Sequence, residues 1–552
     1  MRQTTLCVPL EVKPESCDRL TALIDALRHD EDLAGNPARP NFSRLLTGVP
    51  TLHFMSMSVF PGHDYDPIFV IEVNFDGPAG VFWGQIETLL GEALRPMIRC
   101  CKRPFDGTGD LYDAATGNPA APVVAYLKAQ VQPPSVFHHG NRGLSRARII
   151  DEHALFLAAR AELDSPRSGS DPYRGGGASN VHRLLRAALV PRFPALAVAA
   201  EPRITARERA VDWLRLIRFV VLTLLALSLP GMLLAPLLRT PVYLFVTAAM
   251  AAVALGLLWR YRHAVTGTEV DNRVKFRLLP PDRLVILLVG IAAYVAVAVV
   301  ILSPLVFTLH AVGAIAHLLQ LAPAPDLWPV VRETVRAVAL GLISVVVTLP
   351  AIVLLLRWNE LRDSSQDAPP VDDAVLREMV RREDWIMQNH MGSIVLIKPG
   401  ILRSVIIRAG HYGLGLVLRV IATDGYLGSM RTVHFAHWAF LNNGSRLLFF
   451  SNFDHSWGSY LDDFIEKSHA GLTLAWGGGV GFPRTRLLVL DGASHGRQFK
   501  TWALASRTVS RFWYSAYRGL TVDQIERNYR IATGLRQSIM TEQEAASWAL
   551  DL

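Results

Sequence analysis

The sequence predicts an α+β protein interrupted by an all-α membrane block. Three observations lead there. Residues 213–356 hold four charge-free apolar stretches, whereas 1–210 and 357–552 carry charges and turn residues throughout. A segment ahead of the block, YLKAQVQPPSVFHHGNRGLSRARI (126–149), aligns without a gap with one behind it, WALASRTVSRFWYSAYRGLTVDQI (502–525). Further motifs upstream of each repeat in the same order.

Composition narrows the function classes. A chain of 552 residues has room for two or three domains. The net charge of +8 comes largely from arginines beside the apolar stretches, and no Lys/Arg run interleaves with aromatics, so no nucleic-acid partner is expected. Four cysteines, with Cys100 and Cys101 adjacent, form neither a disulfide framework nor a zinc spacing; the adjacent pair reads as core. The N-terminal MRQTTLCVPLEVKPESC lacks the apolar core of a signal peptide.

The apolar stretches are 219–238, 240–259, 284–303 and 337–356, each near the roughly 20 residues a helix needs to cross the hydrocarbon. Arg207, Arg209, Arg215 and Arg218 precede the first, and only Arg239 separates the first two. Arg260, Arg262, Arg273, Lys275, Arg277 and Arg283 lie between the second and third, and Arg357 and Arg362 follow the fourth. Basic residues favour the cytoplasmic side. The expectation is a multi-pass inner (plasma) membrane protein with both termini cytoplasmic. The 310–331 connection is expected at the outer surface. Pro230, Pro236 and Pro350 fall inside spans, where neighbours can satisfy the freed carbonyls. No Asp, Glu, Lys or Arg lies within a span, so the block reads as an anchor rather than an ion pathway.

The repeated segments read as a duplicated domain. PTLHFMSMSVF (50–60) matches RTVHFAHWAFL (431–441), and the Asn-Phe-Asp ending at Asp76 matches that ending at Asp454. Asn74 and Ile149 are 75 positions apart; Asn452 and Ile525 are 73 apart. Each copy reads as strand, turn, strand, helix, a short strand (near Met97–Cys101 or Arg486–Leu490), helix, last strand and closing helix. Asp76 and Ser456 are candidate N-caps of the first helix. The last strands are expected at Ser135–His138 and Ser510–Tyr514. RGLS and RGLT then open the closing helix, with Thr521 and Gln524 in a capping-box pattern. The resulting layout is a first unit at 1–164, a linker and pre-membrane segment at 165–212, the membrane block at 213–356, a linker and membrane-proximal segment at 357–427, and a second unit at 428–552. Within 376–408 a charged helix, a strand-like SIVLIKPG and an apolar run follow one another.

Such an order suggests a ferredoxin-like unit whose antiparallel sheet buries one face on its own helices and needs a partner for the other. Two such units can cover each other. The chain therefore resembles the dimeric α+β barrel superfamily, here as an intramolecular barrel of two repeats split by a four-helix transmembrane insert. The resemblance is carried by the duplicated element order over about 50–160 and 428–540.

That resemblance extends distantly to dye-decolourising peroxidases, which bind haem through a histidine and carry an Asp-Gly motif. It implies haem as cofactor and a peroxidase-like oxidation of an apolar substrate. Strand alternation places His53 with Met55 and Met57, and His434 with Trp438, on faces expected to look at each other; His437 points the other way. His53, His434, Met55 and Trp438 are then the candidate cofactor wall, with His434 the candidate iron ligand. Asp106 of PFDGTGD and the matched Arg142 and Arg518 are the candidate catalytic groups. Another reading keeps the histidines as internally satisfied residues of a repeated strand, and the arginines as parts of a helix-start motif. The protein is then a non-catalytic module that binds lipid or a partner protein. GHDYD (62–66) offers a metal-like cluster within a turn, and GGGVGFP (477–483) lacks a phosphate-loop context.

Overall fold

The computed structural model describes residues 3–33, 43–62, 65–166, 171–199, 201–263, 281–292, 311–312, 314–315, 318–319, 327–364, 370–383, 386–422, 425, 427 and 430–552. It is a mixed α+β protein with a helical block between its two halves. His63 and Asp64 of the GHDYD turn, half of 310–331 and the later part of the third expected span lie outside the described residues.

The first half runs β1 (Gln3–Glu11), α1 (Cys17–Leu33), α2 (Ser43–Gly48), β2 (Leu52–Phe60), β3 (Ile68–Asp76), α3 (Ala79–Arg99), α4 (Gly109–Gly117), α5 (Val123–Ala129), β4 (Val136–His139) and α6 (Arg146–Asp164). Then come α7 (Ala178–Leu189), α8 (Ala206–Leu234), α9 (Thr240–Arg260), a helical stretch α10 at 281–292, and α11 (Leu327–Arg362). The second half runs α12 (Asp373–Glu383), β5 (Gln388–Leu396), α13 (Ile401–Ile421), β6 (Val433–Leu441), β7 (Arg446–Asp454) and α14 (Trp457–Trp476). It ends with β8 (Thr485–Arg486), β9 (Leu490–Asp491), α15 (Gly496–Ala505), β10 (Arg507–Thr508), β11 (Ser510–Ser515), α16 (Val522–Arg536) and α17 (Glu542–Ala549).

Two antiparallel sheets form the body, and the halves exchange their last strands. One sheet has the order β1-β3-β2-β11, the other β10-β5-β7-β6-β4. β11 from the end of the chain pairs with β2, Ser510 opposite Ser58 and Tyr514 opposite Met55. In return β4 pairs with β6, Val136 opposite Trp438 and His139 opposite Phe435. Each half thereby closes an edge the other would leave with unpaired amides.

Packing follows the alternation of each strand. Met55, Met57, Ile71, Val73 and Phe75 are buried with Ile24 of α1 and Phe82, Ile86 and Leu90 of α3. Trp438, Phe449 and Phe453 are buried with Tyr460, Phe464 and Trp476 of α14 and Trp502 of α15. The remaining faces meet each other: Cys7, Phe60, Ile68 and Val70 pack on Ile394, Ala439, Leu441, Leu448 and Phe450. Burial of each such large side chain contributes roughly 1.5–3 kcal/mol.

Two expected strands are different elements. Met97–Cys101 is the end of α3 and its cap, and Arg486–Leu490 folds back on itself, Arg486 of β8 pairing with Leu490 of β9 around the turn between them. The RGL[ST] reading matches the local geometry: Ser145 caps α6, and Thr521 with Gln524 forms the capping box of α16. Ser456 caps α14, whereas α3 starts behind Pro78 and leaves Asp76 to another task.

Among the described residues, four helices are long and apolar enough to cross a membrane: Ala206–Leu237, Thr240–Arg260, Arg332–Arg362 and Ile401–Ile421. The last was not among the expected spans. α8 ends at Leu234, and Pro236 sits in a short 3-10 turn that carries the span on to Leu237. α8 and α11 are antiparallel and close: Thr348 Oγ1 donates to the Leu227 carbonyl at 2.8 Å. A Cβ on Gly231 would lie 2.0 Å from Ser344 Oγ, so only glycine allows this approach. At the far end Arg336 donates to the carbonyls of Ala235 and Leu238. At the near end both halves hold the bundle. Arg142 and Arg419 pair with Asp212 of α8 at 2.6 and 3.4 Å. Arg357 of α11, almost fully buried, donates to the carbonyls of Tyr261, His263 and Thr485.

Candidate functional site

Each matched histidine is the extra residue of a β-bulge. Along β2 the pairing passes from Leu52–Phe75 to Phe54–Asn74, leaving His53 unmatched. Along β6 it passes from Val433–Phe453 to Phe435–Asn452, leaving His434 unmatched. A bulge bends its strand and re-aims a side chain. His53 Nε2 comes to lie 3.1 Å from Asp76 Oδ1. His434 Nε2 donates to Asp454 Oδ1 at 2.8 Å. The other oxygen of each aspartate accepts the first amide of a closing helix: Arg146 N–H donates to Asp76 at 2.7 Å and Val522 N–H to Asp454 at 2.8 Å. A carboxylate at a helix N-terminus is favoured by the orphan amides and the macrodipole. Bulge, aspartate and helix start therefore form one junction, built twice.

The junctions differ in their last partner. His53 Nδ1 lies 2.9 Å from the Tyr517 hydroxyl, so a residue of the second half completes the first junction. The position matching Tyr517 is Asn141, whose amide donates instead to Glu526 at 2.8 Å. Burial pushes the Tyr517 phenol well above its ordinary range, and nearby Asp76 adds to this. His434 packs between the rings of Phe54 and Tyr517, at 5.3 and 6.1 Å.

The bulges also correct the expected faces. Met55 and Trp438 lie in the two separate cores, each against its own helices, and share no wall with one another. The mutually facing side chains are those of the opposite alternation, Phe54 and Phe60 on β2, Phe435 and His437 on β6. Regular alternation fails because the inserted residue shifts it at the histidine itself.

A second polar centre lies in the sheet–sheet interface. Glu72, fully buried, meets His390 Nε2 at 3.1 Å and His437 Nδ1 at 3.6 Å. Ser56 and Asn74 donate to it at 3.1 and 2.8 Å, and Asn452 at 3.4 Å. The network runs on through Asn74 to Thr5 and His139, and through His390 to Ser510. Burial raises the Glu72 pKa, but hydrogen bonding and charge from His390, then His437 and Asn74, outweigh it and hold the carboxyl below its usual range. Burial pushes His437 down to about 4, with Glu72 opposing, and burial alone takes His138 to about 3. These imidazoles are held neutral. The sequence signal for this centre was present: Glu72 is a lone acid within the apolar FVIEVNF.

The remaining candidates are dispersed. Arg142 serves the Asp212 junction and donates to the Arg419 carbonyl at 2.7 Å. Arg518 is exposed, 5.9 Å from the Trp513 ring centroid. Asp106 is exposed and accepts from the backbone and side chain of Thr108, an Asx turn. Asp66 of the GHDYD turn pairs with Lys102. Among the described residues no three His, Cys, Asp or Glu side chains are placed so as to hold a metal ion together. Haem does not fit the matched histidines, since each ring is buried, engaged by its aspartate and enclosed by aromatic side chains.

An open concavity joins the halves. This groove of about 740 Å³ sets Pro9, Phe105, Tyr126, Pro134 and Phe440 beside the charged side chains of Glu11, Lys102, Arg103, Asp106 and Arg408. Phe105 is fully exposed at its rim. No family model, curated protein or solved structure matches the chain.

Proposed function

We propose that this chain is a membrane-anchored cytoplasmic module that binds an amphipathic, lipid-like molecule between two ferredoxin-like repeats. The repeats form an intramolecular barrel by exchanging last strands, and the apolar helices fix that barrel to the bilayer. The observation that carries the reading is the groove itself. The histidines, Asp76, Asp454 and Glu72 are buried inside the body, whereas the open groove sets proline and aromatic surface beside the charged side chains of Glu11, Lys102, Arg103, Asp106 and Arg408. Apolar surface next to charged groups suits a ligand with an apolar body and a polar head.

The test is mass analysis of what co-purifies from mild detergent, with wild type and Phe105→Ala compared. Removing one exposed phenyl that contacts the ligand costs about 1.4 kcal/mol or more, so recovery falls about tenfold at limiting ligand. Haem recovered with a Soret band that His434→Ala abolishes would replace this reading with the peroxidase-like one.

A further inference from the structure

We infer that α13 lies in the plane of the membrane surface, with an apolar stripe inserted among the lipids of the leaflet facing the body. It does not cross the bilayer, although it is long and apolar enough to do so. The inference rests on the reading that α8, α9 and α11 are membrane anchors.

The connectivity excludes a span. α13 joins β5 to β6, two strands of one sheet separated only by β7. Its inner face is spent on that sheet: the His411 ring contacts Trp438 and Phe440, and Leu414 and Leu418 pack on the core beneath. To cross, α13 would carry the sheet and the buried Glu72 centre into the hydrocarbon.

Both ends are tied at one depth. Near the start, Arg403 and Lys398 pair with Asp363 at 3.1 and 2.8 Å, just past the end of α11. Near the end, Arg419 pairs with Asp212, just ahead of the apolar part of α8. Asp363 follows Leu356 by seven positions and Asp212 precedes Phe219 by seven, so each lies about 10 Å outside its apolar stretch at 1.5 Å per residue. A helix pinned at two such points, about 24 Å apart along its axis, runs parallel to the membrane surface.

The outer face has the chemistry of that location. Ile401, Leu402, Val405, Ala409 and Tyr412 are exposed and recur at helical spacing on one side, with Arg408 exposed along the edge of that stripe. Ile401 is 87% exposed and Val405 58%. The stripe runs directly into α8: the Tyr412 ring lies 5.5 Å from that of Phe219, and a Cβ on Gly413 would come within 2.6 Å of the same ring. The exposed stripe thus faces the space into which the first span descends. Apolar residues on one side with arginines at the margins mark an interfacial helix.

The experiment uses the full chain in nanodiscs of phosphatidylcholine and phosphatidylglycerol. Nitroxide labels are placed one at a time through Val405→Cys, Ile401→Cys, Phe245→Cys and Glu542→Cys, each in a Cys17→Ser background. Collision with oxygen is compared with collision with a water-soluble nickel chelate. The oxygen-to-nickel ratio at 405 and 401 is expected to be at least about threefold above that at 542, and below that at 245 on α9. Ratios at 405 and 401 equal to that at 542, with 245 in lipid, would overturn the inference and leave the anchor reading standing. A ratio at 245 equal to that at 542 would overturn both. A ratio at 405 equal to that at 245 would make α13 a span in its own right and overturn the in-plane placement alone.

Discussion

At the scale of residues, the buried polar groups set the pH behaviour. His437 titrates at about 4 in the folded chain, His138 at about 3, and His139 well below its ordinary value, all chiefly through burial. The ordinary imidazole value is about 6.5. As pH falls below that value the unfolded chain takes up protons that the folded chain refuses. Each such histidine therefore removes about 1.4 kcal/mol of stability per pH unit, from pH 6.5 down to its folded value. Glu72 acts on the acid side too. Its pKa is depressed, so its contribution is present above the ordinary carboxyl range and is lost as pH falls through the folded value. Thermal unfolding in detergent, followed by tryptophan fluorescence, is expected to be flat from about pH 7 to 8 and to fall steeply below about pH 6.5. Stability unchanged down to pH 5 would contradict a neutral, buried set. Part of this chemistry is legible from sequence. The shared Asn-Phe-Asp marks Asp76 and Asp454, and Glu72 stands out in its strand. Its partner His390 could not be found that way, because it lies outside the matched motifs.

At the scale of elements, the bulge, the aspartate and the helix start act as one joint. Asp454→Asn keeps the shape but loses the charge that His434 and the α16 amide both use. A cost of about 2–4 kcal/mol is expected from a buried, doubly bonded carboxylate. The readout is the urea midpoint in detergent; a shift worth less than about 0.5 kcal/mol would make the joint incidental. Helix starts were the most legible elements, since a capping hydroxyl and its partner three residues on are local signals. The side-chain faces of β2 and β6 were misread because one inserted residue reverses alternation, and nothing in LHFMSM or VHFAHW marks the insertion. β5 and α13 fall in the 357–427 stretch, where an apolar run beside a membrane block reads as membrane-proximal whether or not it packs on a sheet.

At the scale of the whole molecule, the matched motifs are visible in the sequence and the exchange of strands is not. β4 and β11 are too short to record which sheet receives them. Exchange has a physical consequence. Neither half has a complete sheet alone, and the helical block becomes an insert within one folded body rather than a spacer between two. Arg142, Arg419 and Asp212 at one corner, with Arg357 and Thr485 at another, tie that body to the near end of the bundle. The most direct test is a cross-link across the exchanged pair Ser510–Ser58. With Ser58→Cys and Ser510→Cys in the full chain, in membranes, oxidation should join the first half to the end of the chain, because directly opposed strand residues lie about 5 Å apart at Cα, within disulfide reach. After cleavage at a protease site inserted within 165–178, the two pieces should stay together on a non-reducing gel and separate on a reducing one. Pieces that separate without reductant, under oxidation that closes a control cysteine pair placed within the β2–β3 pairing, would contradict the exchanged fold.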